Sequence, residues 1–241
     1  MTKGGNLNKE MFDSISKEYD FINNLITFGF HKKWKKEIVE IVKKIKPQKI
    51  LDLATGTADI AIQLSSIENC KIIAVDPSSK MLKIGDRKIQ KLNSNKNILL
   101  EEGNSENLKY GEKTFDAVTI GYGVRNFTNL KKSLNETYRV LKNDGLLIIL
   151  ETSLPTNPLM SFFYNIHIKL YVRLIGMIFS NNSNAYKYLQ SSAKTFPYGE
   201  DFKKILSDLN FKDIRFEIKL FGASTIYVAK KSIDQGSLTI T

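Results

Sequence analysis

The sequence predicts an α/β protein built on a parallel sheet with helices on both faces, and three observations carry that reading. Strand-length apolar runs alternate with helix-period segments from about residue 49 to residue 151. The first run enters a glycine-containing loop, ILDLATGTADIA at residues 50–61, and helical spacing resumes at Asp59 through Leu64. The second run, IIAVDPS, ends at Asp76, twenty residues beyond Gly56. Strand, loop, helix and strand thus bring a tight backbone turn and an acid to one edge of a sheet.

Local pattern justifies each element in turn. Residues 9–28 carry Met11, Phe12, Ile15, Tyr19, Ile22 and Leu25 at three- and four-residue spacing, the mark of an amphipathic helix or helix pair. The run HKKWKKEIVEIVKKIKPQK (31–49) places Ile38, Ile41, Val42 and Ile45 on one face, predicting a helix over 33–46 with a solvated Lys face and a stop at Pro47. Strands follow near 49–53, 71–76, 97–101, 115–121 and 145–151, with helices near 58–66, 79–92 and 129–141. Residues 158–193 read as mostly helical, then a helix at 200–208, strands near 212–219 and 223–230, and a tail at 232–241.

A length of 241 residues suits one domain, enough to bury roughly three-quarters of its unfolded surface. It divides into N-terminal helices (1–46), a cofactor-binding core (47–152) and substrate-side helices with the last strands (153–231). One cysteine, Cys70, forms no internal disulfide, and the first residues lack the apolar stretch of a signal peptide, so a reducing, cytoplasmic setting is expected. The net charge of +11 invites a nucleic-acid partner, but Lys is spread along the whole chain without zinc spacing or an aromatic RNA-binding strand, so none is expected. The apolar segment 159–179 contains Asn165, His167, Lys169 and Arg173, too polar for a membrane span. It reads as a helix packed on the sheet, as one whose apolar side covers or admits a greasy substrate, or as both. No cluster of His, Cys, Asp and Glu has metal-ligand spacing, and His31 and His167 read as packed or exposed histidines rather than catalysts.

The loop has one glycine, with Ala54 and Ala58 at the alternate positions, and no Lys or Arg to meet phosphates. It matches neither a dinucleotide nor a Walker fingerprint. Asp52 at the head of the loop suits a ligand with an ammonium and a sulfonium, and Asp76 suits a ribose diol, which together point to S-adenosylmethionine. Asn104 and Ser105, after the third strand, are candidates for an adenine edge, and Gly121, after the fourth, for close backbone approach. Arg125 and Asn126 come directly after an apolar strand and two glycines, where a charge faces the cleft unless a salt bridge or helix cap claims it.

FDSISKEYDFINNLITFGFHKKWKK, LDLATGTADIA, AVDPSSKMLKIG, GNSENL, FDAVTIGYGVRNFTN and YRVLKNDGLLIILETSLP, in that order, resemble the quinone C-methyltransferases that complete menaquinone or ubiquinone, over residues 10–230. The resemblance implies a class I methyltransferase fold, a seven-stranded sheet with its last strand antiparallel, and methyl transfer from S-adenosylmethionine to a polyprenylated quinol. Beside Gly56, whose turn makes it a cofactor-binding candidate from the loop itself, it implies cofactor contacts at Thr57, Asp76, Asn104, Ser105 and, more weakly, Gly121, with Tyr19 covering the cofactor; Ala58 departs from the family's more general glycine. Arg125 would stabilise a phenolate or orient a water that removes the proton, and Asn126 would orient the ring. The naphthoquinol, demethylmenaquinol, is favoured over a benzoquinol by ETSLPTNP and TIGYGVRN. The resemblance also implies transient visits to a membrane surface and is compatible with a homodimer. An RNA methyltransferase and a non-catalytic cofactor-binding scaffold are the alternatives.

Overall fold

In the computed structural model, which describes residues 3–27, 29–92, 97–178, 188 and 191–232, three helices come before any strand. They are α1 (Lys3–Ile15), α2 (Tyr19–Ile26) and α3 (Phe30–Lys43). The chain then alternates through β1 (Lys49–Leu53), α4 (Asp59–Leu64), β2 (Lys71–Asp76), α5 (Ser79–Lys91), β3 (Ile98–Glu102), β4 (Phe115–Gly121), α6 (Leu130–Val140) and β5 (Leu141–Thr152). After α7 (Pro158–Ile178) come α8 (Glu200–Asp208), β6 (Phe211–Lys219) and β7 (Ser224–Lys231). One sheet of seven strands holds them in the order β3-β2-β1-β4-β5-β7-β6. Strands β1 to β5 are parallel, and β7 lies antiparallel between β5 and β6.

Alternation along each strand divides the core into two layers. Ile50, Ile72, Ala74, Ala117, Ile148 and Leu150 face Trp34, Ile38 and Val42 of α3 and Ile60 and Leu64 of α4. Leu51, Leu53, Ile73, Val118, Leu147 and Ile149 face Leu134 of α6 and Phe202 and Leu206 of α8. The helices that follow β2 and β4 start where side-chain acceptors meet free amides: Ser78 accepts from Met81 N at 3.1 Å and Asn129 from Lys132 N at 3.0 Å.

Three boundaries differ from the sequence pattern for physical reasons. Helix α3 begins at Phe30 rather than residue 33, because Gly29 turns the chain at φ 76° and Thr27 Oγ1 lies 2.7 Å from His31 Nδ1, drawing His31 into the core. It ends at Lys43 rather than 46, the amides of Ile45 and Lys46 tightening back onto Val42 and Lys43 before Pro47. Strand β5 begins at Leu141 rather than 145: Asn143, Asp144 and Gly145 look like a turn, but Leu141 already pairs with Phe115 and the register shifts before Ala117. In the expected helical stretch 158–193, residues 158–178 and 191–195 are helical, while 179–187, 189–190 and the tail beyond Ser232 lie outside the described residues.

The close fit of α4 on the sheet is testable. A Cβ on Gly121 would stand 2.4 Å from Ile60 Cδ1. Gly121→Ala is therefore expected to cost about 1–3 kcal/mol in denaturant unfolding, and Ile60→Val, which removes that methyl, should recover much of the loss in the double variant.

Candidate active site

The sheet order reverses between β1 and β4, and the carboxyl ends of β1, β2, β3 and β4 border one cleft there. A cleft of about 110 Å³ opens over them, walled by Lys9, Phe12 and Tyr19 from the N-terminal helices and floored by Leu53, Val75 and Gly121. A smaller cavity of about 20 Å³ adjoins it, sharing Tyr19, Ala54, Gly56, Gly121 and Tyr122 and adding Asn23, Asp52 and Thr57.

Asp76 ends β2 and is buried at the cleft. Its two oxygens accept from Gly56 N and Ser78 N, each at 2.8 Å, so the carboxylate folds the β1–α4 loop as well as lining the cavity. Burial pushes its carboxyl up to about 6, against the pull of those two amides. Asp52 stands behind the loop, accepting from Thr119 Oγ1 at 2.7 Å and Thr55 Oγ1 at 2.5 Å; burial raises it too to about 6. Between the two acids the loop alternates into left-handed backbone at Ala54 (φ 55°), Gly56 (φ 57°) and Ala58 (φ 64°). Two of these are not glycine, at a cost on the order of 1 kcal/mol each. Ala58 thus adopts the conformation for which a glycine is the usual residue.

The remaining sequence candidates are divided between the cavities. Thr57 donates to Asp20 Oδ1 at 2.6 Å and accepts from Lys88 Nζ at 2.8 Å, inside an ionic web in which Lys88 and Lys35 also hold Asp59. Burial opposes the ionisation of Asp59, but the two lysines prevail and keep its carboxyl at about 2. Asn104 and Ser105 line the larger cleft; the Asn104 amide oxygen accepts from Glu106 N and the Ser105 hydroxyl bonds Ser133, so Ser105 offers the cleft its backbone. Gly121 lines it too, its missing Cβ making room for Ile60. Tyr19 borders both cavities and packs edge-on against Phe12.

Arg125 is neither a free cation nor a surface pair. Its side chain is 7 % exposed and bonds Glu151 Oε1 through Nη1 at 2.5 Å, with the same nitrogen reaching Tyr122 O at 2.8 Å. The backbone N–H of Arg125 meets the other Glu151 oxygen at 3.1 Å, while Nε is buried without a hydrogen-bond partner among the described residues. Burial raises the phenols of Tyr19, Tyr122 and Tyr164 alike, and in each the Arg125 charge opposes the rise, so residues of α2, the β4 loop and α7 all feel this cation. Asn126, next in the turn, lines the cleft and donates to Tyr122 O at 3.2 Å.

Glu151 is the site neighbour, bonded to Arg125, that sequence reasoning passed over. An acid ending the apolar run LLIILE is the same signal that marked Asp52 and Asp76, and it was available. The Asp20–Lys88–Asp59–Lys35 web, joining the four helices α2, α5, α4 and α3, left no comparable trace.

A cleft with a buried acid at one strand end, apolar walls from Leu53, Val75 and Met81, and its one lysine, Lys9, already held by Glu102 at 2.6 Å fits a phosphate-free nucleoside. A SAM-dependent methyltransferase structure from Thermotoga maritima aligns with a TM-score of 0.64 at 18 % identity, over 93 % of this chain and 100 % of that one. The fold is that of the class I methyltransferases. Residues 2–231 match the model of the ubiE/COQ5 methyltransferase family, and the chain belongs to that family of S-adenosyl-L-methionine-dependent C-methyltransferases of menaquinone and ubiquinone biosynthesis. It is 34 % identical over 224 residues to a protein of Bacteroides fragilis named demethylmenaquinone methyltransferase, covering 92 % of this chain and 91 % of that one. A relative from Geotalea uraniireducens, named ubiquinone/menaquinone biosynthesis C-methyltransferase UbiE, is 35 % identical over 233 residues, covering 96 % and 99 %.

Removing one half of the buried pair should be costly. Arg125→Ala leaves Glu151 inside the protein with Thr152 and one backbone amide as its donors, and the expected loss is about 3–5 kcal/mol of unfolding free energy, read from the urea midpoint.

Proposed function

We propose that this enzyme methylates a ring carbon of demethylmenaquinol, forming menaquinol late in menaquinone biosynthesis. The observation that carries the reading is the buried Arg125 guanidinium beside the cleft, locked by Glu151 yet with an Nε–H that has no partner among the described residues. A relative named for demethylmenaquinone supports the naphthoquinol ring. The enzyme would act as a cytoplasmic protein visiting the membrane that holds its substrate.

The residues present suit the cofactor. Asp76 would accept from the ribose hydroxyls, Asn104 and the Ser105 backbone would meet the adenine edge, and Met81 would lie against its face. Asp52, Gly56 and Thr57 would shape the pocket for the amino-acid portion, Gly121 would leave the floor low, and Tyr19 would cover it. When bound, S-adenosyl-L-methionine supplies an electrophilic methyl group on its sulfonium.

The protein's own task is to make the ring nucleophilic. A quinol hydroxyl ionises like a phenol, with pKa about 10, so near pH 7 only about one molecule in a thousand is phenolate, a deficit of roughly 4 kcal/mol. The hydroxyl proton leaves to a water, and the Arg125 Nε–H donates to the developing oxyanion, directly or through that water. A donor aimed at developing charge is typically worth about 10²–10³ in rate, or roughly 3–4 kcal/mol, which matches the deficit. Glu151 holds the guanidinium in place, and Asn126 orients the ring.

Arg125→Lys keeps the charge but loses the fixed fork. It is expected to lower kcat by about 10²-fold with little change in cofactor affinity, and unaltered turnover would remove Arg125 from the mechanism.

Asp76 makes cofactor binding pH-dependent. Its folded value of about 6 lies above the ordinary one, so between pH 4 and 6 the native state holds a proton that the unfolded chain has lost, and free-protein stability falls as pH rises through that window. Ribose hydroxyls need the ionised acceptor, so affinity should fall below pH 6 by up to about tenfold per pH unit. Calorimetric titration across that range should show the slope in the native protein. Asp76→Ala should bind roughly 10–100-fold more weakly at pH 7.5 with a shallower slope; an unchanged affinity would contradict the ribose role.

Transfer from labelled S-adenosyl-L-methionine to short-chain demethylmenaquinol and to a demethyl-benzoquinol, side by side under reducing conditions, tests the substrate. Label on the naphthoquinol is expected; label on the benzoquinol alone would reassign the step to ubiquinone.

A further inference from the structure

Helix α7 has an unusual distribution of side chains. Leu159, Phe162, Phe163 and Leu170 are each more than half exposed and Ile166 only slightly less, and their spacing of three, four, seven and eleven residues lines them along one face. On the opposite side Met160, Tyr164, His167 and Ile168 are half-buried, and Tyr164 feels the Arg125 charge. The side of the helix that meets solvent therefore carries five large apolar side chains, flanked by exposed Asn165 and Lys169, where a solvated helix would be mostly polar.

Two neighbours extend this surface. Half-exposed Phe21 belongs to α2, which packs against α7. Phe221, the most exposed large apolar side chain among the described residues, lies in the β6–β7 turn, where Leu220 (φ 43°) and Phe221 (φ 55°) both hold left-handed backbone. A Cβ on Gly222 in that turn would come within 2.6 Å of Pro155 Cα, three residues ahead of α7, so the turn lies beside the start of the helix.

Charge selects the partner. From Thr152 to Gly199 the sequence contains no Asp or Glu and carries Lys169, Arg173, Lys187 and Lys194, within a chain of net charge +11. Anionic phospholipid headgroups complement such a segment around an inserted apolar stripe. A second copy of the chain would set two acid-free, basic segments against each other. Among the described residues no helix is long and apolar enough to cross a membrane, so the fitting geometry is a helix lying in the interface.

We propose that the outer face of α7, with Phe21 and Phe221, is the docking surface for an anionic phospholipid bilayer. Resting on the quinol reading for its direction, the proposal makes α7 the partition between lipid and the Arg125 site, past which a quinol head enters while its isoprenoid tail stays in the membrane.

Co-sedimentation of the full chain with phosphatidylcholine vesicles, with and without phosphatidylglycerol, tests it alongside the double variant Phe162→Ser/Phe163→Ser. The native protein should bind the anionic vesicles more strongly than the neutral ones. The double variant should bind them roughly a hundredfold more weakly, with an unchanged melting temperature and native turnover of a soluble short-chain quinol, but lose turnover of a long-chain quinol held in vesicles. Vesicle binding equal to native in the variant, no binding by the native protein, or a native dimer that the variant dissolves would each overturn the docking surface. Absence of short-chain quinol turnover in both proteins would count against the quinol reading alone, leaving the vesicle result to stand.

Discussion

Burying a carboxylate costs several kcal/mol unless its oxygens meet donors, and this sheet buries one at or beside the carboxyl ends of three parallel strands. Asp52, Asp76 and Glu151 each follow a run of apolar residues into the low-dielectric middle of the fold, and the surrounding chain is shaped by what they require. Asp76 takes the amides of Gly56 and Ser78, which closes the β1–α4 loop and turns the chain into α5. Asp52 takes two threonine hydroxyls, one from that loop and one from β4. Glu151 takes the Arg125 guanidinium and backbone amide, which fixes the short turn Val124–Asn126 after β4. The cleft is the space these three solutions leave.

Strain concentrates in the same place. Ala54 and Ala58 hold left-handed backbone within two residues of a carboxylate-bound group and Tyr122 three residues from two of them, Thr119 and Arg125, and such conformations persist only where the surroundings over-determine them. The cover is held differently. Helices α1 and α2 reach the core through Lys9–Glu102, Asp13–Ser78 and Asp20–Lys88, contacts with partly exposed members, each worth about 0–1 kcal/mol. The cleft thus has a rigid floor joined to a roof fastened by many weak polar contacts.

Much of this was legible in the chain because burial leaves a periodic signal. Strands at 49–53, 71–76 and 115–121 coincide with the observed elements, since a continuous apolar run bounded by an acid or glycine has few other readings. Where polar residues continue a strand, as at Asn143–Gly145, or a side-chain hydrogen bond starts a helix early, as Thr27 does for α3, pattern alone misplaces the boundary. The site was legible as residues but not as pairs. Arg125 stood out as a charge after a buried strand, yet its partner lies 26 residues on, across a helix and a strand, and no local spacing connects them. The fate of the Ser105 hydroxyl, taken by Ser133, was equally hidden.

The pairing of Arg125 changes what that residue can contribute. A lone guanidinium would stabilise any anion in the cleft by net charge, wherever the anion sat; joined to Glu151, the unit is close to neutral and its field falls off as a dipole. What remains is directional: an N–H held at a fixed point by a partner that itself cannot move. Such a donor favours an oxygen that gains charge at that point and does little for one elsewhere, which is the difference between binding an acidic ligand and assisting the ionisation of one hydroxyl. The same neutrality lets the cation remain buried beneath α7, so that a helix with apolar side chains facing outward can lie over it without an uncompensated charge at its back.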